Sequence, residues 1–179
     1  MKTCAGILAC MSAGFLSAVA GGEDGATAAT KDWPAMKTIA VKNFVFEYTI
    51  DGKNFTGKLS YPTEGWVAVG FKPVKKMKGA NIIIGSAGGG NFTVADHFGV
   101  GEVVHKPDTT IGGADNIISG TCVEKNKVTT MSFTIPLDSG DDKDVVMAAG
   151  EKIRIIFAAG TTDDFSYKHV KVAGADVVL

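Results

Sequence analysis

The spacing of apolar residues and turns predicts an all-β fold, an antiparallel immunoglobulin-like β-sandwich. Short segments of alternating apolar and polar residues recur along the chain, and Gly-, Asn- and Asp-containing turns separate them. A sustained 3.6-residue apolar period is not found, and only residues 141–149 suggest a helical turn or two. Hydrophobic residues make up 45% of the 179 residues, which is enough to fill the core of one domain.

The first 20 residues are typical of a signal peptide. Lys2 supplies the positive charge, an uncharged apolar stretch follows, and Ala18-Val19-Ala20 has the small-x-small pattern of a cleavage site. A membrane-spanning helix needs about 20 apolar residues, and this stretch is shorter. A retained N-terminal anchor is the alternative. We expect cleavage near Ala20 and a mature chain that is periplasmic or extracellular and has no membrane span.

The rest of the chain divides into a linker and one domain. Residues 21–36 are rich in Gly, Ala and Thr without periodicity, which predicts a flexible linker, and residues 37–179 form the predicted domain. The formal net charge is -1, so the basic surface that nucleic-acid binding requires is not expected. Cys122 is the one cysteine left after cleavage, and we expect it to be a small buried residue of a strand.

The turns allow most strands to be placed. Residues 39–50 alternate with a slip near Lys42-Asn43 that suggests a β-bulge, while Asp51-Gly52 predicts a hairpin and Gly88-Gly89-Gly90 a turn. A looser loop covers residues 105–115. The remaining predicted strands are 55–61, 66–71, 81–85, 92–98, 116–123, 128–135, 153–159 and 166–172.

Several motifs follow one another in a recognisable order. Residues 65–71 read G-W-V-A-V-G-F, and residues 77–85 read M-K-G-A-N-I-I-I-G. They are followed by V-A-D-H-F at 94–98, P-D at 107–108, S-F-T-I-P-L-D-S-G-D at 132–141 and D-D-F-S-Y-K-H at 163–169. Together they resemble the DOMON family over residues 37–179. Asn81 stands where the family usually has Asp, and Ile135 stands where Arg is common.

The resemblance implies a cofactor. The chain resembles the haem-binding members of the family, among them haem-binding subunits of related bacterial oxidoreductases. In relatives such as the cytochrome domain of cellobiose dehydrogenase, the iron lies between a Met and a His, and in some related haem subunits a lysine is a ligand. The matching residues here are Met77 and His169. A thioether and an imidazole fill both axial positions of haem iron, and the sulfur favours the ferrous state. The chain has no C-x-x-C-H sequence, so the haem would be non-covalent haem b.

One departure from the motif affects the histidine. Lys168 separates Tyr167 from His169, where haem-binding relatives commonly have Tyr and His adjacent. A slip of one residue in a strand reverses the face on which a side chain lies. Either a bulge returns His169 to the pocket, or Lys171 is the ligand instead.

Other residues are candidates for the walls and rim of a haem pocket. Six residues could form apolar walls, although each could equally be an ordinary core residue: Trp66, Phe71, Ile82, Ile84, Phe157 and Tyr167. The lysines around Met77 have two readings. They could ring a haem edge, pair with its propionates and attract an acidic redox partner, or they could simply keep an exposed loop soluble. These lysines are Lys72, Lys75, Lys76 and Lys78.

The two remaining histidines are weaker candidates for metal binding. His97 lies in a predicted strand, where a hydrogen-bonding role is expected, and His105 opens a loop in which it is expected to be solvated. Their spacing matches no recognisable metal site.

Three functions are therefore ranked. The first is an exported b-type cytochrome domain that exchanges electrons with a redox partner protein, either alone or as a subunit of an oxidoreductase. The second is a haem-free DOMON module that binds a sugar or other small ligand between its sheets. An enzyme is ranked last, because the sequence shows no nucleophile–base pair, no phosphate-binding glycine loop and no carboxylate pair at a readable spacing.

Overall fold

A computed structural model describes residues 35–179. The predicted signal peptide, residues 1–20, and most of the predicted linker, residues 21–36, lie outside this range and stay predictions. The strands within it are β1 (Lys37–Val41), β2 (Phe44–Asp51), β3 (Asn54–Tyr61), β4 (Val67–Phe71), β5 (Asn81–Gly88), β6 (Asn91–Phe98), β7 (Lys106–Pro107), β8 (Ser119–Lys125), β9 (Val128–Pro136), β10 (Lys152–Ala159) and β11 (Lys171–Val178).

The strands form two antiparallel sheets, which confirms the predicted all-β sandwich. One sheet has five strands in the order β1-β2-β3-β9-β8, and the other has six in the order β11-β10-β4-β5-β6-β7. A short 3-10 helix, Asp108–Thr110, follows β7. Among the described residues, no helix has the length and apolar character of a membrane span.

The main core lies between the two sheets and is dominated by phenylalanines. β9 shows how the sequence produces it, because its residues alternate strictly between half-buried and buried positions. The rings of Phe55 and Phe71 meet edge to face with their centroids 5.2 Å apart. Such pairs stabilise a fold by about 0.5–1.5 kcal/mol beyond the area they bury. Cys122 is buried in this core, as expected.

Most strand predictions agree with the structure, but two were wrong: the bulge near Lys42-Asn43 and the strand over residues 166–172. Lys42 and Asn43 have φ angles of 48° and 70°, so the slip near them is a tight hairpin turn between β1 and β2 and not a bulge. The predicted strand 166–172 is mostly loop, and β11 begins at Lys171. The sequence of β11, K-V-A-G-A-D-V-V, has little apolar alternation, so its pattern did not announce a strand.

Residues 141–149 form turns and bends, not the helical turns that the sequence suggested. The Asp141 carboxylate accepts hydrogen bonds from the backbone N–H groups of Lys143 and Ala114. Aspartate side chains that bind local N–H groups in this way compete with helix formation. The segment therefore folds as a side-chain-stabilised loop.

Candidate functional site

A cavity of about 790 Å³ lies on the outer face of the six-stranded sheet. Its floor consists of the residues that alternate with the core residues of β4, β5 and β10. In the strand pairing, Ala68 lies directly opposite Ile84 of β5 and Ala158 of β10, and Gly70 lies directly opposite Ile82 and Ile156. β4 is buried on both faces as a result. The floor residues are Trp66, Ala68, Gly70, Ile82, Ile84, Ile156 and Ala158.

The floor is hollow because its central residues are small. Ala68, Gly70 and Ala158 lie in adjacent strands, with the larger Ile82, Ile84 and Ile156 beside them. A Cβ atom at Gly70 would come within 2.9 Å of the Ile156 side chain, so even one methyl group would crowd this surface. The cavity is thus apolar at its base and suited to a flat or bulky apolar group.

A tight turn brings Met77 to one wall of the cavity. Lys75 and Lys78 pair as an isolated β-bridge, and Lys76 between them has a φ of 54°. The turn is fixed to the end of β6 by hydrogen bonds, from the N–H of Gly79 to the carbonyl of Gly99 and from the N–H of Gly99 to the carbonyl of Ala80. A Cβ atom at Gly99 would overlap the Met77 carbonyl oxygen, so this close approach requires glycine.

His169 lines the same cavity from the loop that precedes β11. Backbone hydrogen bonds hold both ends of this loop, from Trp66 N–H to the Thr162 carbonyl and from Val170 N–H to the Ala159 carbonyl. The imidazole is half-buried. Because His169 lies in a loop, the expected alternation of faces along a strand does not apply to it.

Lys171, the alternative ligand, is directed elsewhere. It is directly opposite Ala159 in the β10–β11 register, and Ala159 belongs to the core between the sheets. Residues directly opposite each other in an antiparallel pair lie on the same face. Lys171 therefore lies on the face of the sheet opposite to the cavity, and it is not among the residues that line it.

His105 also lines the cavity and contacts His97 of β6, which the sequence did not predict. His97 is buried, and its Nδ1 is 2.8 Å from Nδ1 of His105, so one ring donates and the other accepts. Burial and the nearby His105 lower the pKa of His97 to about 4. Burial, and then His169, lower the pKa of His105. Both rings are therefore neutral near pH 7.

This pair tests two expectations. His97 has the expected hydrogen-bonding role. His105 is half-buried and lines the cavity, so the expectation that it is solvated was wrong. The β6–β7 pairing places Pro107 opposite His97 and so brings the loop back over the strand, and the sequence did not predict β7.

The lysines beside Met77 form ion pairs in the structure. Nζ of Lys75 and of Lys76 lie 2.7 Å and 3.0 Å from the Glu102 carboxylate. Lys72 pairs with Glu151 at 2.6 Å. Lys76 and Glu102 both line the cavity. The rim of the cavity near Met77 is therefore charged, and because Lys75 and Lys76 share one carboxylate, positive charge is in excess there.

The sequence-predicted site residues separate into two groups. Two do not line the cavity: Phe71 is completely buried in the core between the sheets, and Lys78 lies outside the lining. Phe71 is one residue from Gly70 on β4, so its side chain lies on the other face of the sheet. Sequence reasoning missed Glu102, Val103, His105 and Phe165. The sequence-predicted site residues that do line the cavity include Met77, His169, Trp66, Lys76, Ile82 and Tyr167.

The comparisons with known proteins agree with this architecture. The family model of the DOMON domain matches residues 41–160. The chain belongs to the DOMON family. This DOMON domain is similar in fold to the cytochrome b domain of pyranose dehydrogenase from Coprinopsis cinerea, with a TM-score of 0.57 and 11% identity over 79% of this chain and 81% of that one. It is also similar to the cytochrome domain of Myriococcum thermophilum cellobiose dehydrogenase, with a TM-score of 0.53 and 12% identity over the same shares.

Proposed function

We propose that this DOMON domain binds one non-covalent haem b in the outer-face cavity, with Met77 and His169 as axial ligands, and transfers electrons to or from a redox partner protein. The observation that carries the proposal is that Met77 and His169, 92 positions apart in the sequence, line one cavity. They reach it from two separate loops, each tied to the sheet by backbone hydrogen bonds.

The residues present fit a haem. A volume of about 790 Å³ is within the range of roughly 300–1,000 Å³ typical of cofactor and ligand sites. The floor is aliphatic, which suits a porphyrin face, and Met and His are an established ligand pair for haem iron. Trp66, Ile82 and Phe165 would exclude water from the buried side of the group.

The donor set argues for electron transfer and not for catalysis. Haem bound in this way supplies a one-electron couple, and a methionine ligand raises its potential. Met77 and His169 together would leave no axial position for a substrate. A hydrogen bond joins Nδ1 of His97 to Nδ1 of His105, so these two rings would support the cavity wall beside His169.

The charged rim of the cavity is the surface on which we expect a redox partner protein to dock. Lys76 and the exposed Lys168 line the cavity, and Lys75 pairs with the same Glu102 carboxylate as Lys76. These lysines would pair with the haem propionates and attract an acidic partner. The predicted signal peptide, residues 1–20, adds the proposal that this exchange takes place in the periplasm or outside the cell. The chain would then act as an electron carrier or as the electron-transfer subunit of an oxidoreductase.

A haem titration of the purified protein tests this function. We expect saturation at one haem per chain and a six-coordinate low-spin absorption spectrum that sharpens on reduction with dithionite. Met77→Leu should retain haem with a changed axial field and a lower potential, and His169→Ala should bind haem about tenfold or more weakly. Met147→Leu, a substitution in the main core, is the matched control.

The opposite result is equally clear. A folded protein that takes up no haem would contradict the proposal and would favour the alternative of a haem-free module for a small ligand. In that case the ligand would occupy the outer-face cavity, since phenylalanine side chains fill the space between the sheets where a ligand had been expected.

A further inference from the structure

Three aspartates from distant parts of the chain meet on the other side of the six-stranded sheet. Asp96 is in β6, Asp108 begins the 3-10 helix after β7, and Asp144 is in the loop between β9 and β10. One carboxylate oxygen from each lies within 4.8 Å of the other two. We call these residues the carboxylate cluster. Asp96 is in register with Ile83, a residue of the main core, so the cluster is separate from the outer-face cavity.

Several oxygens at the cluster are buried without a hydrogen-bond partner. Asp108 is completely buried, and neither of its carboxylate oxygens has a partner. Asp96 is 4% exposed, and its Oδ1 also has none. Leaving a buried acceptor unsatisfied costs about 1–3 kcal/mol, and more when the group is charged. The cluster thus presents three buried carboxylate oxygens that have no hydrogen-bond partner among the described residues.

An uncharged side chain adds a further acceptor. Asn81, at the start of β5, is 3% exposed and donates a hydrogen bond from its Nδ2 to the Asp144 carboxylate. This contact places its amide group at the cluster, and its Oδ1 has no partner. An amide oxygen is a metal ligand of the same hard type as a carboxylate oxygen. This observation is independent of the acidic residues.

The cluster aspartates have no ion-pair partner among the described salt bridges. The nearby Lys143 pairs with Asp142 instead. Burial and the neighbouring carboxylates raise the pKa of Asp96 to about 8 and that of Asp108 to about 7. These shifts measure how costly the charges are when no cation is present.

The remaining hydrogen bonds hold the ligands in position. The N–H of Asn116 donates to Asp96 Oδ2, and the Ser139 hydroxyl donates to Asp144 Oδ2. Two oxygens bound to one Ca²⁺ ion at 2.3–2.6 Å lie at most about 5 Å apart, which matches the spacing of the cluster. An all-oxygen set selects a hard cation over zinc or copper. Mg²⁺ usually keeps several waters, which the complete burial of Asp108 disfavours.

We propose that Asp96, Asp108 and Asp144, with the side-chain oxygen of Asn81, bind one Ca²⁺ ion. The ion joins the paired strands β5 and β6 to the 3-10 helix and the β9–β10 loop. Binding there stabilises the edge of the sheet that carries β7. The site does not depend on haem, so it can be tested on the haem-free protein.

Isothermal titration calorimetry of the full chain tests the proposal after treatment with EDTA and dialysis, at pH 8. We expect one Ca²⁺ per chain and a rise in the unfolding midpoint of roughly 5–10 °C at millimolar Ca²⁺. Mg²⁺ should bind at least about tenfold more weakly. Asp108→Asn should weaken Ca²⁺ binding at least about tenfold, and Asp142→Asn, which removes an exposed carboxylate on the same loop as Asp144, should not.

Three outcomes would overturn the proposal. The first is that the wild-type chain shows neither saturable Ca²⁺ binding nor a shift of the midpoint. The second is that Asp142→Asn loses as much affinity as Asp108→Asn, which would show that the ion is held at the surface. The third is that Mg²⁺ binds as tightly as Ca²⁺. If the Asp108 variant does not fold, the wild-type protein can be loaded with Tb³⁺, and displacement of Tb³⁺ by Ca²⁺ is followed by the loss of Tb³⁺ luminescence.

Discussion

Asp96 and His97 are adjacent in β6, and their side chains lie on opposite faces of the six-stranded sheet. His97 is in register with Ile82, which forms the cavity floor, and Asp96 is in register with Ile83, which belongs to the main core. One strand therefore directs one side chain to the face of the sheet that carries the cavity and the next side chain to the carboxylate cluster. Substitutions can address the two sites separately, which makes the predictions below independent of one another.

The contact of Gly99 with the Met77 turn predicts a sensitive position. Gly99→Ala should displace this turn, because the new Cβ would overlap the Met77 carbonyl oxygen. We expect a loss of stability of about 1–3 kcal/mol and a weakened Met–iron signature in the haem-loaded spectrum. Denaturant unfolding and absorption spectroscopy measure the two effects.

Gly101 provides the control for Gly99. A Cβ atom at Gly101 would have the Val104 Cβ as its nearest neighbour, at 3.8 Å, which is an ordinary contact. Gly101→Ala should therefore leave both stability and spectrum close to wild type. Equal effects of the two substitutions would contradict the role assigned to the close approach.

Filling the cavity floor should block haem without unfolding the protein. Ala158 lies on the outer face, where Ala158→Phe would project its ring into the cavity. We expect haem affinity to fall about tenfold or more while the unfolding midpoint changes little, because the ring occupies existing space. Phe71→Leu should do the reverse. It should cost on the order of 1 kcal/mol or more of stability, because it shortens a core side chain, and leave haem affinity unchanged.

His105 should support the cavity wall and not bind the iron. His105→Ala removes the partner of the buried His97 Nδ1, so a loss of stability of about 1–3 kcal/mol is expected. The haem-loaded variant should keep its low-spin spectrum, since His169 is still present. If His105→Ala lost the nitrogen ligand and His169→Ala kept it, the assignment of the ligand to His169 would be wrong.

The carboxylate cluster predicts an unusual dependence of stability on pH when no cation is bound. The pKa of Asp96 is raised to about 8 in the folded protein and that of Asp108 to about 7. In the unfolded chain both carboxyl groups lose their protons above about pH 4, so folding above that pH requires the uptake of protons. The contribution of these groups is complete below that pH and is lost as the pH rises through 7 to 8. The unfolding midpoint in EDTA should thus fall between pH 5 and pH 8.5.

Two further samples check the cause of this slope. Added Ca²⁺ should reduce the slope, because the ion compensates the ionised carboxylates. Asp108→Asn in EDTA should also reduce it, because one titrating group is gone. A midpoint that rises steadily with pH in EDTA would show that the cluster does not control this behaviour.

The sequence predicted the architecture because local patterns dictate it. Strict alternation in β9 and the Asp51-Gly52 turn between β2 and β3 are signals that a few neighbouring residues carry. Met77 and His169 were named from family motifs, and the structure brings both to one cavity. Phe71 was assigned to that cavity wrongly, because apolar character alone does not tell on which face of a buried strand a side chain lies.

The features that escaped prediction depend on contacts between separate segments of the chain. The His97–His105 pair forms only when the chain returns as β7, and the carboxylate cluster unites residues 96, 108 and 144. In the sequence, Asp96 and Asp108 are parts of separate family motifs, and Asp144 lies in a segment that suggested a helical turn or two. Their burial follows from the packing of three segments, and no local pattern in the sequence records it.

An experimental structure of the haem-loaded protein tests the central claim most directly. The account predicts one haem on the outer face of the six-stranded sheet, with its iron bonded to the sulfur of Met77 and to an imidazole nitrogen of His169. Iron bonded to His105 or Lys171 in place of His169, or a haem bound anywhere else on the molecule, would contradict it.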